Sequence, residues 1–481
     1  MNLPNWILQR ADLSPNRTAL SCGEERWTFR EVAGEAKQMA GKLRSLGMKE
    51  GDRVALLLES GPRAVFLIHG ALLAGLELVM LNSRLTEAEL AYQIADSAAV
   101  SVIASDGLAA KAGVRAIPAS RLAALEAAAF TPASVWAEDR TVTIMYTSGT
   151  TGFPKGVRQT VGNHFASAMA SVLNMGLAEE DVWLCSMPLF HISGFSILMR
   201  SLLYGMEVRL QPKFDETAAA REIADGSVTR ISVVSATLAR LLNRLEEEGL
   251  RASDRFKTML AGGGPVPVPY IRRAQALGIP ILQTYGMTET ASQTATLSAE
   301  DAVHKEGSSG RPLFFSRIRI DGAKAPGDEG EILVSGPNVT PGYVGRFAER
   351  AALQDGWLHT GDIGRIDKEG FLYVLDRRSD LIVSGGENVY PAEIEQVLLA
   401  HPSVMEAGVI GMADEQWGEV PAAFIVAKSA VTDEELRDFC AERLAPYKLP
   451  KKFTFTGSLP RNASNKLLRR QLKEQLGGPK P

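Results

Sequence analysis

A glycine-rich segment from Tyr146 to Val157, YTSGTTGFPKGV, has the residue types that bind a polyphosphate. Glycines let a backbone turn tightly and direct amide hydrogens toward an anion, while hydroxyls and a lysine add donors and positive charge. The residues expected to contact phosphate are Thr147, Ser148, Gly149, Thr150, Thr151, Gly152 and Lys155. The segment lacks the GxxxxGK[ST] spacing of the P-loop. We therefore predict a phosphate-binding loop of another type, with a plain flexible surface loop as the alternative.

The elements that would position this loop follow an alternating pattern between about residues 53 and 285. Apolar runs predict strands at RVALLL, LVML, TVTIMY, ISVVSA, TMLAG and PILQTYG, and amphipathic stretches predict helices at 62–75, 86–95, 162–174, 237–248 and 268–277. Such alternation is typical of an α/β fold with parallel sheets covered on both faces. The apolar run Phe66 to Leu81 is too short to cross a membrane and predicts a buried helix leading into a strand. The Ala-rich stretch 119–133 predicts a further helix.

The pattern changes twice toward the C-terminus. After about residue 305, short strands such as RIRI, GEILVSGP and FLYVLDRR predict a small β subdomain that completes a large N-terminal domain of residues 1–376. A compact α+β unit of about 100 residues is expected at 381–481, a normal domain size. We place the boundary between the two domains at residues 377–380. A chain of 481 residues is too long for one hydrophobic core, in agreement with this division.

Composition excludes several classes of protein. The formal net charge of -4 and pI near 6.0 argue against a nucleic-acid partner. Cys22, Cys185 and Cys440 are odd in number and widely spaced, so neither a disulfide framework nor a thiolate metal site is indicated. The N-terminal segment lacks the pattern of a signal peptide. We expect a cytoplasmic protein without membrane insertion; the oligomeric state, a homo-oligomer included, stays open.

Several motifs in order along the chain resemble those of the adenylate-forming ligase superfamily, which includes acyl-CoA ligases and peptide-synthetase adenylation domains. After the glycine-rich segment come AGGGP (261–265), TYGMTET (284–290), HTGDIG (359–364), DRRSDLIVSGGENVYPAEIE (376–395) and LPRNASNKLLRRQL (459–472). Alone, a glycine triplet or a Gly-Asp pair would be a plain turn. Together, these motifs imply an enzyme that uses ATP and Mg²⁺ to activate a carboxylic acid and then transfers the acyl group to coenzyme A.

The resemblance implies roles for the residues that bind ATP. Thr288 would meet the α-phosphate, Glu289 would help hold magnesium, and Tyr285 would lie against adenine. Asp362 would accept hydrogen bonds from the ribose hydroxyls, with Arg377 nearby. Lys466 would supply the positive charge of the adenylation step, although a lysine in a basic helix is ordinarily a surface residue. The remaining nucleotide contacts are expected from Gly262, Gly263, Gly264, Pro265, Thr284, Gly286 and Met287.

Other segments are expected to contact coenzyme A and the acyl group. Ser379 is taken as the hinge about which the C-terminal domain turns, and Ser384, Gly385, Gly386 and Glu387 as the loop that meets coenzyme A. The last 36 residues also hold nine lysines and arginines against one acid, a pattern that serves either coenzyme A phosphates or a solvated face. Residues expected at the acyl pocket are His191, as its gate, Ser193, Arg200, Ser235, Gly286 and Ser292.

The strings VRQTVGNH, PLFHISG and YGMTETASQ, with the last two motifs named above, most resemble o-succinylbenzoate CoA ligases of menaquinone biosynthesis. Arg200 lies in an apolar segment and would read the second carboxylate of that substrate, or else reach solvent or pair with a protein acid.

Three alternatives stay open. An acyl-CoA ligase for coumarate-like or fatty acids would share the ATP motifs. A peptide-synthetase adenylation domain would need a carrier protein, and the LGGPKP end has no serine to bear phosphopantetheine. A binding protein without activity would be expected to lose Lys466 or Glu289, and both are present.

Overall fold

The computed structural model describes residues 2–113, 116–147, 153–264, 266–298, 300–377, 380–384, 387–414, 417–444, 446–462 and 467–476. In the first part of the chain the elements are β1 Asn2–Pro4, α1 Trp6–Leu13, β2 Thr18–Cys22, β3 Glu25–Thr28, α2 Phe29–Ser45, β4 Arg53–Leu57, α3 Pro62–Leu73, β5 Glu77–Met80, α4 Glu87–Asp96, β6 Ser101–Ala104, β7 Ile117–Pro118, α5 Ala119–Ala123, β8 Val135–Ala137 and β9 Thr141–Thr147.

The middle part of the chain alternates strands and helices. Its elements are β10 Lys155–Thr160, α6 Val161–Met175, β11 Val182–Cys185, α7 Ile192–Tyr204, β12 Glu207–Leu210, α8 Glu216–Asp225, β13 Arg230–Val233, α9 Ser235–Glu247, β14 Thr258–Ala261, α10 Val268–Ala276, β15 Ile281–Met287, β16 Ser292–Thr296 and β17 Arg311–Pro312.

The remaining part begins with strands alone and ends with a mixed unit. Its elements are β18 Arg317–Ile320, β19 Glu329–Ser335, β20 Gly342–Val344, β21 Leu353–Gln354, β22 Trp357–Ile366, β23 Leu372–Arg377, β24 Ile382–Ser384, β25 Glu387–Val389, α11 Pro391–Leu399, β26 Val404–Asp414, β27 Gly418–Ala427, α12 Asp433–Ala441, β28 Lys452–Phe455 and α13 Arg469–Gln475.

Two large sheets form the main body of the fold. A seven-stranded sheet has the order β20-β10-β9-β5-β4-β6-β7, and a nine-stranded sheet has the order β17-β16-β15-β14-β13-β11-β12-β2-β3. Strands β9 to β7 in the first and β15 to β2 in the second are parallel. Antiparallel pairing occurs at one end of the first sheet, through β10 and β20, and at both ends of the second. The predicted α/β class is confirmed. The carboxyl ends of β11, β13, β14 and β15 lie next to each other, so the residues that follow them meet at one edge.

Two smaller sheets follow in sequence. Strands β18, β19, β21, β22 and β23 form an antiparallel sheet, in agreement with the predicted β-rich segment. Strands β24 to β28 form a mixed sheet packed against α11 and α12, with a core that includes Val409, Ile425 and Leu436. Among the described residues, no helix has both the length and the apolar character to cross a membrane.

Local sequence explains several helix boundaries. Helix α2 begins after Thr28, whose hydroxyl accepts from Glu31 N while the Glu31 carboxylate accepts from Thr28 N. This reciprocal pair satisfies two amides that have no partner within the helix. Helix α7 ends at Gly205, whose φ of +76° is readily adopted only by glycine. The apolar run Phe66 to Leu81 forms buried helix α3 and strand β5, as predicted.

The predicted helix at 119–133 is wrong beyond Ala123. Only α5, Ala119–Ala123, is helical, and the chain then runs along α2. Ser45 Oγ donates to the Glu126 carbonyl at 2.6 Å, and Ala128 N donates to the Gly41 carbonyl at 3.1 Å. A Cβ on Gly41 would lie 2.8 Å from that of Ala127, so the contact is close. Hydrogen bonds to α2 replace the bonds that a longer helix would make within itself.

Burial lowers the pKa of three imidazoles, His69 to about 4, His164 to about 3 and His191 to about 4. An imidazole in an unfolded chain titrates near 6.5. Below about pH 6.5 the unfolded chain therefore binds more protons than the folded protein, and the free energy of unfolding decreases as the pH falls toward 4. Above about pH 7 these three groups contribute no further change.

We expect the His69→Leu variant to be less acid-sensitive than the wild type. Both ring nitrogens of His69 are buried without a hydrogen-bond partner among the described residues, so leucine removes a titrating group and leaves no donor or acceptor unpaired. Urea unfolding at pH 7.5 and 5.5 measures the effect. The variant should lose about 1 kcal/mol less unfolding free energy between these pH values than the wild type. An equal loss in both proteins would show that His69 is not buried in its neutral form.

Candidate active site

The glycine-rich loop joins the antiparallel strands β9 and β10 of the seven-stranded sheet, beside the edge strand β20. Residues 148–152 lie outside the described part of the chain, so Ser148, Gly149, Thr150, Thr151 and Gly152 keep their predicted role without a structural account. The ends of the hairpin are described, since Thr147 pairs with Lys155 across β9 and β10. Lys155 Nζ lies 5.7 Å from the centre of the Tyr343 ring on β20.

A single 3-10 turn, Thr288–Thr290, follows β15 and carries two predicted catalytic residues, Thr288 and Glu289. Gly286 just before it must be glycine, because a Cβ there would lie 1.7 Å from the carbonyl oxygen of Ser292 on the neighbouring strand. The turn is closed by the hydroxyl of Thr290, which accepts from Met287 N at 3.0 Å. Backbone packing thus fixes where the Thr288 and Glu289 side chains begin.

Charged groups from three parts of the chain meet beside this turn. Burial lowers the pKa of Lys155, and the nearby Arg350 lowers it further, whereas Glu289 acts in the opposite direction. Burial and the Glu289 carboxylate raise the pKa of Tyr343 to about 12. A carboxylate, a lysine and an arginine therefore act on one another at the place where the glycine-rich loop begins, a composition suited to a polyphosphate and its counter-cation.

Tyr285 and Asp362, the residues predicted to contact adenine and ribose, are in direct contact. The Tyr285 hydroxyl donates to Asp362 Oδ2 at 2.8 Å, and both side chains are buried. Glu331 on β19 fixes the backbone before Asp362, because its carboxylate accepts from Gly361 N at 2.8 Å. Arg377 is the register partner of Asp362 across β22 and β23, which places its backbone beside the predicted ribose site.

The glycine triplet follows β14 and packs against the strands on either side. A Cβ on Gly262 would lie 2.8 Å from Thr284 Cγ2, and Gly263 has a φ of +81°. Gly264 has open space around it, and Pro265 lies outside the described residues. Ser235 begins α9 just after the adjacent strand β13. The triplet and Ser235 thus share the edge from which the 288–290 turn emerges.

Two predicted nucleotide contacts have roles within the protein. The Thr284 hydroxyl donates to the Ala295 carbonyl at 2.9 Å, and Met287 packs partly buried against the core that includes Tyr285.

His191 lies on the acyl side of the site, immediately before α7 and after β11. Its ring packs against Phe190 at 4.7 Å, and burial, together with Arg84, lowers its pKa to about 4. A neutral imidazole held by an aromatic neighbour suits a gate better than a general acid. Gly194 allows the start of α7 to approach the preceding loop, because a Cβ there would lie 2.4 Å from the Pro188 carbonyl oxygen.

Arg200 is a buried guanidinium without an acidic partner among the described residues. Its side chain is 1% exposed, with Nη2 2.9 Å from Gln293 Oε1 and 3.4 Å from Ser292 Oγ. The ring of Trp183 lies 5.2 Å from Cζ, and the Tyr204 hydroxyl is a further neutral partner. The Arg200 side chain therefore does not reach solvent, and none of the described carboxylates pairs with it. Ser193 lies seven residues earlier on α7 and therefore on the same helix face.

The predicted hinge and coenzyme A loop are described only in part. Ser379, Gly385 and Gly386 lie outside the described residues, as does Lys466. Strands β24 and β25 form a hairpin in which Ser384 pairs with Glu387. Asp380, beside the predicted hinge, forms an ion pair with Arg469 at 3.3 Å, and Arg469 also pairs with Glu395 at 2.8 Å.

The basic C-terminal stretch is less free than its composition suggests. Lys448 pairs with Glu393 at 2.7 Å, Arg461 with Glu406 at 2.6 Å, and Arg470 with Glu474 at 3.2 Å. In the described part of this stretch, the lysines without an ion pair are Lys451, Lys452 and Lys473. Four of the seven described basic residues of this stretch therefore form ion pairs, and three of the four pair with acids that lie before it in sequence.

The fold and this site define a class of enzyme that binds ATP and forms adenylates. Residues 7–344 match the AMP-binding enzyme family, residues 393–466 match the AMP-binding enzyme C-terminal domain, and the chain belongs to this family. It is 49% identical over 479 residues to a 2-succinylbenzoate–CoA ligase of Bacillus cereus, with 98% of each chain covered.

The chain is also similar to solved structures of an enzyme of this kind. The o-succinylbenzoate CoA synthetase of Bacillus subtilis, in complex with its acyl-adenylate intermediate, is 46% identical with a TM-score of 0.92 and 98% of each chain covered. Its complex with ATP and a magnesium ion also gives a TM-score of 0.92, covering 98% of this chain and 100% of that one. A double mutant of that enzyme bound to a product analogue gives 0.77 over 98% of each chain.

Sequence reasoning missed several residues of the site. Tyr343 and Arg350 reach it because β20 pairs with β10 across a long separation in sequence, and no local motif marks them. Gln293, which holds Arg200, follows directly after the Ser292 that was predicted. A polar residue in a buried strand was the signal that sequence offered, and its partner could be recognised only once β16 was placed against α7.

Proposed function

We propose that the protein ligates o-succinylbenzoate to coenzyme A in two steps, through an acyl-adenylate, with release of pyrophosphate and then AMP. The observation that carries the proposal is the convergence of Lys155, Glu289 and the Tyr285–Asp362 pair at one edge of the fold. These groups match, in order, a polyphosphate, its cation and a nucleoside. The full-length similarity to 2-succinylbenzoate–CoA ligases supports the choice of acid.

In the first step, an oxygen of the substrate carboxylate attacks the α-phosphorus of ATP, and the bond from that phosphorus to the bridging oxygen of pyrophosphate breaks. The glycine-rich loop and Lys155 hold the leaving pyrophosphate, and Thr288 holds the α-phosphate. Lys466 stabilises the negative charge that develops between carboxylate and phosphate. Orientation of the two reactants and fixed charges at the reacting atoms are the usual sources of rate in such a transfer.

Magnesium fits this site as a cation shared with the nucleotide. No group of three or more metal-ligating His, Cys, Asp or Glu side chains occurs in the described part of the chain, so protein ligands alone do not form a cage there. Mg²⁺ commonly binds through one or two carboxylates together with phosphate oxygens and water. Glu289 beside Lys155 would supply such a carboxylate, and the ion would neutralise phosphate charge.

The Glu289→Gln variant should weaken magnesium-dependent turnover while the fold stays intact. The change removes one negative charge and almost no volume, and the backbone of the 288–290 turn is held by groups other than this side chain. We expect a higher magnesium concentration at half-maximal pyrophosphate release, measured by titration at fixed ATP. Asp301→Asn, a similar change on another 3-10 turn, is the control. An unchanged magnesium titration for Glu289→Gln would remove this residue from the metal role.

The acyl pocket lies between His191 and the Arg200 region of α7. o-Succinylbenzoate has two carboxylates: the succinyl group is activated, and the benzoate group is not. We propose that Arg200 attracts the benzoate carboxylate, since its charge is buried among neutral partners. Ser292, whose hydroxyl is 3.4 Å from Nη2, lies between that charge and the adenylate turn, with Ser193, Ser235 and Gly286 as further lining.

In the second step, the thiol sulfur of coenzyme A attacks the acyl carbon, and the bond to the AMP oxygen breaks. We propose that the unit of residues 381–481 turns about 377–380, withdraws Lys466 and brings the 384–387 hairpin toward the adenylate. The closer similarity to the acyl-adenylate complex than to the product-analogue complex supports an arrangement suited to the first step. Domain rotation is an ordinary way for one site to serve two reactions.

Pyrophosphate release over a panel of acids, with and without coenzyme A, tests the proposal. The panel should include o-succinylbenzoate, coumarate, benzoate, succinate and a medium-chain fatty acid. We expect o-succinylbenzoate to give the highest kcat/KM and multiple turnovers only when coenzyme A is present. A preference for coumarate or the fatty acid would overturn the substrate, and full turnover without any thiol would overturn the ligase reaction.

A further inference from the structure

The turn that carries Thr288 and Glu289 is held from outside through three consecutive carbonyl groups. The carbonyl of its first residue accepts from Gln159 Nε2 at 2.6 Å. The second accepts from the backbone N–H of Thr340 at 2.7 Å, and the third accepts from Asn338 Nδ2 at 3.2 Å. Of these donors, Gln159 alone belongs to the strand that leads out of the glycine-rich loop.

The carboxamide of Gln159 is fully buried, and its orientation is determined by its partners. The Thr143 hydroxyl is 2.6 Å from Gln159 Oε1, which can only accept, so the hydroxyl donates to it. His164 Nε2 lies 3.1 Å from the same hydroxyl and must therefore carry a proton and donate. Burial, which lowers the pKa of His164 to about 3, keeps that imidazole neutral. The result is a directional series of donors from His164 through Thr143 and Gln159 to the Thr288 carbonyl.

This series connects the two large sheets. Gln159 is on β10 of the seven-stranded sheet, four residues after Lys155, whereas the 288–290 turn follows β15 of the nine-stranded sheet. The preceding residue on β10, Arg158, makes a second connection, since its carbonyl accepts from the Thr340 hydroxyl and Thr340 N donates to the Glu289 carbonyl. Neighbouring residues of one strand thus fix neighbouring residues of the turn.

We propose that Gln159 is a positioning residue for the adenylation step, holding the turn that meets the α-phosphate in register with Lys155, the residue of β10 that holds the β- and γ-phosphates. The inference rests on the proposed function and adds a residue that touches none of the three substrates. Adenylation requires a fixed distance between the group that holds the α-phosphate and the group that holds the leaving pyrophosphate, because the bond between the α- and β-phosphates breaks. Thioester formation has no pyrophosphate to hold, so it does not need that register.

The test compares the two half-reactions in the full-length Gln159→Met and Gln159→Glu variants. Methionine keeps the length of the side chain and removes the donor to the Thr288 carbonyl. Because a misplacement of about 1 Å can cost about 100-fold in rate, we expect kcat for o-succinylbenzoate-dependent pyrophosphate release to fall about 10- to 100-fold. Thioester formation from preformed acyl-adenylate should change less than about threefold, and KM for ATP should change less than kcat.

A matched control removes a comparable hydrogen bond elsewhere. Ser308 is fully buried, and its hydroxyl donates to the Leu372 carbonyl at 2.9 Å. Ser308→Ala should lower Tm and leave the ratio of the two half-reactions unchanged. The Gln159→Glu variant adds a pH signature, since a protonated carboxyl can donate to the Thr288 carbonyl and a carboxylate cannot. Its adenylation rate relative to wild type should therefore rise between pH 8 and pH 6.

The outcomes separate this inference from the proposed function. If Gln159→Met slows both half-reactions equally, or behaves like Ser308→Ala, Gln159 has only a structural role. Should Gln159→Met fail to fold, the Gln159→Glu variant decides alone, and a relative rate that stays flat with pH overturns the inference. A wild-type protein that releases no pyrophosphate with any acid overturns the proposed function and this inference with it.

Discussion

The Arg200→Leu variant is expected to lose about 30-fold to several thousand-fold in kcat/KM for o-succinylbenzoate, with ATP binding almost unchanged. The range corresponds to the roughly 2–5 kcal/mol lost when one partner of a buried charge pair is removed. The reason is structural, because the described residues around Arg200 supply an amide oxygen, hydroxyls and an aromatic ring but no carboxylate. A buried cation of this kind is stabilised further when an anion binds.

A substrate analogue without the benzoate carboxylate is the internal control. Its kcat/KM should already be low with the wild type and should fall little further with the Arg200→Leu variant. The Arg200→Met variant keeps more of the side-chain length. Its loss in kcat/KM should equal that of Arg200→Leu if the charge of Arg200 binds the substrate, and should be smaller if Arg200 acts through packing. Equal losses for substrate and analogue would show that Arg200 supports the fold around Trp183 and Gln293 and does not read the substrate.

The Lys466→Ala variant is expected to reduce adenylation about 100- to 1000-fold and to leave thioester formation from preformed acyl-adenylate largely intact. The magnitude is typical for loss of one fixed charge contact that acts in the transition state. The two half-reactions separate because the lysine is proposed to contact the reacting groups in only one domain orientation. Single-turnover assays of pyrophosphate release and of thioester formation measure the two rates independently.

Lys473→Ala is the matched control, since it removes the same charge from the exposed face of α13. Both rates should stay within about twofold of wild type for that variant. If Lys466→Ala slowed both half-reactions to the same extent, the alternation of domains proposed for residues 377–380 would be wrong.

A helix or strand could be predicted from the sequence where its own residues determine its conformation. Strand β4 is an apolar run after its first residue, β13 contains the β-branched Ile231 and Val233, and α9 has the apolar face of an amphipathic helix, so the local pattern was sufficient. The stretch after Ala123 could not be predicted, because its alanines favour a helix and its hydrogen bonds go to α2 instead. That outcome depends on Gly41 and Ser45, which lie more than 75 residues earlier. A local sequence pattern cannot include residues that far apart.

The candidate site shows the same limit. The residue types of the 284–290 segment and of the glycine-rich loop indicated phosphate and magnesium, since glycines, hydroxyls, a lysine and a carboxylate were adjacent in sequence. The groups that hold them in place were not adjacent. Gln159 is 129 residues from Thr288, and Gln293 is 93 residues from Arg200. Contacts of this kind depend on how sheets and helices pack against one another, and a polar residue in a buried strand was the signal that sequence offered.

The measurement that tests the central claim most directly is product identification by mass spectrometry after incubation of the purified protein with o-succinylbenzoate, Mg²⁺-ATP and coenzyme A. We predict one o-succinylbenzoyl-CoA thioester and one AMP per pyrophosphate released, and an acyl-adenylate that accumulates on the enzyme when coenzyme A is left out. Formation of ADP and phosphate in place of AMP and pyrophosphate would contradict the account. It would also be contradicted if the complete mixture gave the thioester but no acyl-adenylate could be detected when coenzyme A was left out.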